Sequence, residues 1–83
     1  MAEIRWERNA LGGVLDLGGR TRTRIVSQVG NLRRFPELGV RAFGPYEGKR
    51  RLVVGPYSIV YEYDAEHGVV SVIAVARGGP LFR

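Results

Sequence analysis

The sequence predicts an α+β fold of order β-α-α-β-β-β, a helical hairpin packed on one face of a small, mainly antiparallel sheet. Three observations predict it. Three apolar, β-branched and aromatic runs follow one another between Lys49 and Arg77, separated by turn signals at Gly55-Pro56 and at residues 64–68. Ahead of them, two segments repeat apolar residues at offsets of three and four, the spacing of a helix face. Neither layer buries its apolar side alone, so the helices must cover the sheet.

Residues 3–6 (EIRW) alternate and read as a short first strand. Residues 9–17 place Ala10, Leu11, Val14, Leu15 and Leu17 on one helical face. Gly12 and Gly13 weaken that helix by roughly 1 kcal/mol each relative to alanine, and suit close approach of another backbone. Gly18-Gly19 reads as a helix stop, and Thr21 or Thr23 as the cap of a second helix. In that helix Ile25, Val26, Val29, Leu32 and Phe35 share a face, Arg20, Arg22, Arg24, Arg33 and Arg34 lie opposite, and Pro36 ends it. Residues 36–48, with two prolines and three glycines, read as a loop. Strands follow at 49–54, 57–63 and 69–77.

The 83 residues make one domain, near the lower limit for a self-sufficient core. There is no cysteine, which excludes disulfides and thiolate chemistry. Neither an apolar leader nor a membrane-length apolar window is present, so a soluble, cytoplasmic protein is expected. Twelve arginines and one lysine outweigh eight acids, for a net charge of +5. Arginine suits phosphates, so nucleic acid is a candidate ligand. Base composition or an acidic protein partner would account for the same bias.

The run KRRLVVGPYSIVYEY at 49–63, followed by VVSVIAVARG and preceded by RFPELG at 34–39, resembles the RelE/ParE superfamily of type II toxin–antitoxin toxins. The likeness covers nearly the whole chain and implies the fold described above. For RelE-like members it implies ribosome-dependent cleavage of mRNA in the A site, a metal-independent endoribonuclease reaction needing no cofactor. That is the leading expectation. ParE-like inhibition of DNA gyrase is the alternative, as is a catalytically weakened toxin-fold binding module. A cognate antitoxin is the implied protein partner.

The same resemblance assigns site residues. In the RelE-like reaction the ribose 2′-OH attacks its own phosphate, aided by cations and a proton donor. By position, Lys49 and Arg51 match the second-strand basic sites, and alternation puts them on one face. Arg77 stands one position before the arginine expected at the end of the last strand, where Gly78 sits. With Arg50 and Arg83 these form the expected nucleic-acid-binding set. Ser58 occupies the place of a third-strand arginine, and Phe82 cannot replace a tail tyrosine. Tyr57, Ile59, Tyr61 and Tyr63 share a face and read as packing. With one histidine, His67, and no cysteine, no metal site is expected.

Overall fold

The computed structural model describes residues 1–78. Strand β1 (Glu3–Trp6) leads into helix α1 (Arg8–Leu15), helix α2 (Gly19–Gly30) and a 3₁₀ turn (Asn31–Arg33). A two-residue strand β2 (Val40–Arg41) and a second 3₁₀ turn (Gly44–Tyr46) precede β3 (Arg50–Val54), β4 (Tyr57–Asp64) and β5 (Val69–Arg77). The sheet order is β1-β5-β4-β3-β2; β1 runs parallel to β5 and every other pairing is antiparallel. The α+β class and the helix-covered sheet are as the sequence predicts. Strand β2 is the addition. Within the stretch read as a loop, two residues add to β3 and the main chain continues the ladder from Ala42 N–H to the Lys49 carbonyl at 3.0 Å.

Helix α1 buries Ala10 and Val14, while Leu11 and Leu15 stay exposed. The helix ends at Leu15 and turns inward two of the four predicted apolar positions it holds, while Leu17, beyond its end, packs against the core. Gly13 is the position where backbones approach: a Cβ there would meet Val75 at 3.5 Å, whereas Gly12 faces open space. Helix α2 begins at Gly19, ahead of both predicted threonine caps. Gly18 is its N-cap, without a side-chain hydrogen bond. Ile25, Val29 and, in the 3₁₀ turn, Leu32 are buried, but Val26 and Phe35 are exposed. These residues meet Leu52, Val54, Ile59, Tyr61, Val70 and Val72 in one core between helices and sheet. Burial of that apolar area supplies the main driving force.

Two irregularities in the sheet carry consequences. The β3–β4 turn is Gly55-Pro56, with Gly55 at φ +58°, the positive φ that a two-residue hairpin turn requires. In β5, Val60 pairs with Ala74 but Tyr61 pairs with Val72, so Ile73 is an extra, bulged residue. The bulge leaves the Ile73 carbonyl to accept from Asn9 Nδ2 at 3.4 Å. It also lets Val70, Val72 and Val75 all pack against the core.

Tyr61 is fully buried, and its hydroxyl is the hinge between sheet and connecting segment. It donates to the Pro36 carbonyl at 2.8 Å and accepts from the Gly39 N–H at 2.9 Å. Gly39 is sterically required: an added Cβ would lie 2.6 Å from the Arg51 carbonyl oxygen and 2.8 Å from the Tyr61 hydroxyl. Gly39→Ala is expected to destabilise the fold by about 1–3 kcal/mol, the usual range for overpacking. Urea denaturation checks this; an unchanged midpoint would show that the segment yields freely.

Candidate functional site

The first strand of the long hairpin distributes its cations between two faces. Pairing sets Arg50 opposite Tyr61 and Leu52 opposite Ile59, on the helix side, and Arg51 opposite Val60 and Val53 opposite Ser58, on the other. Extending the register sets Lys49 opposite Glu62, and the two form an ion pair of 2.9 Å. Lys49 and Arg51 therefore share the face away from the helices, about 7 Å apart along the strand. The floor beside them consists of short buried side chains, Ser58, Val60 and Ala74.

Arg50, assigned to the nucleic-acid set by the sequence, works within the fold. Its Nη1 donates to the Gly39 carbonyl at 2.8 Å and the Glu37 carbonyl at 3.3 Å, and Nη2 lies 3.5 Å from the Glu37 carboxylate. It clamps the segment that Tyr61 holds. Two clefts flank the Lys49–Arg50 ridge. One, of about 590 Å³, is lined by Arg41, Ala42, Phe43, Glu47 and Gly48; the other, of about 470 Å³, lies toward Glu37, Glu62 and Tyr63.

Arg77 does not join Lys49 and Arg51. It pairs with Tyr57 on the helix side, its guanidinium carbon 5.9 Å from the centre of that ring. The Ile73 bulge is the cause, because it shifts the alternation of every later residue in β5 by one. Ser58 is buried at the position expected to hold an arginine. Arg83 and Phe82 lie outside the described residues. His67 sits in the β4–β5 turn, bonded through Nδ1 to Asp64 Oδ2 at 2.7 Å, and its main-chain N–H donates to Asp64 Oδ1 at 3.2 Å. The hydrogen bond from the His67 side chain is the main reason that the Asp64 carboxyl titrates below its ordinary value. Among the described residues no group of His, Cys, Asp and Glu is placed to hold a metal.

Arg41, Glu47 and Glu62 are the site residues that the sequence reading missed. A signal for Glu62 was present. The two-residue turn at 55–56 fixes the register, and Lys49 then faces Glu62 as an opposite-charge pair. Chemically, the arrangement offers two cations on one strand face, with Glu62 as the ion-pair partner of Lys49. It suits the binding of an anionic surface, and an incoming phosphate must displace Glu62 from Lys49.

The architecture is shared with solved toxins. The toxin–antitoxin complex RelBE2 of Mycobacterium tuberculosis superposes with a TM-score of 0.82 at 24% identity, covering 93% of this chain and 98% of that one. The intact RelBE complex of E. coli gives 0.79 at 18% identity, covering 95% and 99%. The chromosomal ParDE system of P. aeruginosa gives 0.73 at 18%, covering 95% and 98%. At these identities the likeness establishes the fold: two helices on a mixed five-stranded sheet, as in RelE- and ParE-type toxins. No curated protein sequence is significantly similar. The family model described as the ParE toxin of the type II toxin–antitoxin system, parDE, matches residues 4–81, and the chain belongs to that family.

Burial pushes the Tyr61 phenol above its ordinary value, opposed by the Gly39 N–H and the Arg50 charge. A raised folded value means that Tyr61 contributes stability fully below about pH 10, the unfolded phenol's range. That contribution is lost as pH rises through the higher folded value. Tyr61→Phe should cost about 1–3 kcal/mol at pH 7, because it leaves the Gly39 N–H and Pro36 carbonyl unpaired. The gap between the two proteins should narrow above pH 10. Urea midpoints measured from pH 7 to 11 test this, and curves that stay parallel would rule out the phenol.

Proposed function

We propose that this chain is the toxin of an antitoxin-controlled pair and that it inhibits DNA gyrase by binding, without cutting a phosphodiester bond. The family match to ParE-type toxins supports the target. The carrying observation is the split of cations across the sheet: Lys49 and Arg51 share one face, with Lys49 already paired to Glu62, while Arg77 lies on the other. Transition-state stabilisation of a phosphorane needs donors converging on one point, and loss of a single donor typically costs 10²–10³ in rate. A binding inhibitor needs only the surface.

Its regulator is a cognate antitoxin. RelBE2, RelBE and ParDE are themselves toxin–antitoxin assemblies. This chain exposes apolar side chains for such a partner on the helices, at Leu11, Leu15 and Val26, and on the connecting segment, at Phe35, Leu38 and Phe43. Exposure of that kind on a small domain favours a covering partner. The cytoplasm, where gyrase and ribosomes work, is the proposed compartment. No helix among the described residues is long and apolar enough to cross a membrane.

A second reading, ribosome-dependent mRNA cleavage, is favoured by the Lys49–Arg51 pair itself. In it the 2′-OH attacks phosphorus, the P–O5′ bond breaks, and the departing oxygen takes a proton as a cyclic phosphate forms. Paired assays separate the two. The purified chain is expected to inhibit gyrase supercoiling while mRNA in a coupled translation reaction stays intact. Codon-spaced mRNA cuts that disappear in Lys49→Ala or Arg51→Ala, with supercoiling unaffected, would overturn the gyrase reading in favour of the ribosomal one.

A further inference from the structure

Arg20 and Arg24 sit one turn apart on α2, with Gln28 a turn further along the same row. Arg22, between them in sequence, has a structural task. Its Nη2 donates to the Leu17 carbonyl at 3.1 Å and the Leu15 carbonyl at 3.4 Å, closing the open end of α1. Arg20 lies in the first turn of a helix that has no acid and no side-chain cap at its N-terminus. The helix dipole makes that end positive, so a cation there works against folding. A residue that local physics disfavours marks a position held for another reason.

Arg24 reaches across to the β3–β4 turn, where its Nη1 would be 3.4 Å from a Cβ placed on Gly55. Arg77 borders the same turn from β5, beside Tyr57. Among the described residues, none of Arg20, Arg24 and Arg77 has a carboxylate within ion-pairing distance. Asp16, at the end of α1, is the acid nearest to Arg20 in sequence and makes no ion pair with it. Glu62, Asp64 and Glu66 are toward the other end of β4, roughly 20 Å away at the rise of a strand.

We propose that Arg20, Arg24 and Arg77 form a phosphate-binding surface that grips the backbone of a duplex nucleic acid, separate from the Lys49–Arg51 face. The guanidinium fork matches phosphodiester oxygens. A duplex fits the patch better than a single strand. Single strands are held on aromatic platforms, and the one aromatic here, Tyr57, is half-buried with Arg77 over its ring. Contacts confined to phosphates position the protein without reading sequence. Because the patch is on the helix side, a duplex held there leaves the opposite face open.

The test titrates the full chain, made by cell-free synthesis, against a short fluorescent duplex DNA of arbitrary sequence over a range of salt. The triple variant Arg20→Ala, Arg24→Ala, Arg77→Ala should bind at least about tenfold more weakly. Its plot of log affinity against log salt should flatten by roughly 2–3, at about 0.9 per lost phosphate contact. Arg5→Ala, on the edge strand and already paired with Glu3, should keep both affinity and slope. The three arginines are exposed, so matching circular dichroism and melting profiles would establish that the triple variant is folded. Unchanged binding by that variant would overturn the proposal, as would tighter binding of a single strand than of the duplex. The readout is independent of supercoiling and translation, so either proposal can fail alone.

Discussion

A single buried hydroxyl anchors the part of this protein that makes its surface distinctive. Tyr61 projects from the central strand into the core, and its oxygen serves both the Pro36 carbonyl and the Gly39 N–H. The segment it fixes contains two short 3₁₀ or strand elements and little apolar burial of its own. The β2–β3 ladder holds residues 40–42 to the sheet edge beside it. Arg50 seals the same joint from outside by bonding the Gly39 and Glu37 carbonyls. Strand β2, the clefts beside Lys49 and the exposure of Phe43 all follow from where that joint sits. The packing is tight enough that only glycine fits at position 39.

The arginines divide by what they touch. Arg22 closes a helix end, Arg50 clamps a loop and Arg5 pairs with Glu3 on the edge strand. Arg24 and Arg77 border the β3–β4 turn with Arg20 one helical turn from Arg24, and Arg51 with Lys49 occupies the opposite face. The net charge of +5 is therefore an average over surfaces with separate roles. Function is sought in those surfaces, since one fold hosts many functions.

Much of the fold was legible because the relevant signals are local. Alternation in the three long strands, the Gly-Pro turn and the helical spacing around Ile25 and Val29 each specify geometry over a few residues. What the residues could not announce was set by tertiary context. Strand β2 forms only because Tyr61 and Arg50 bring residues 36–41 to the sheet edge. The α2 cap moved from threonine to Gly18 because the α1–α2 connection is short. At the site, Lys49 and Arg51 were readable from alternation, and Glu62 was recoverable from the hairpin register. Arg50 was not, since its closest partners are main-chain carbonyls that carry no sequence signature.

The bulge at Ile73 sets the reading frame of the last strand. Upstream of it, even-numbered positions face the helices; downstream, odd-numbered ones do. The side of the sheet on which Arg77 emerges is thus determined by the number of residues between the bulge and Arg77, independently of which residues these are. Removing one residue between the bulge and Arg77, with the bulge kept, would set Arg77 opposite Ser58 and carry it across to join Lys49 and Arg51, with no substitution anywhere. In a fold of this kind, insertion and deletion within a strand are a route between a split cationic surface and a convergent one.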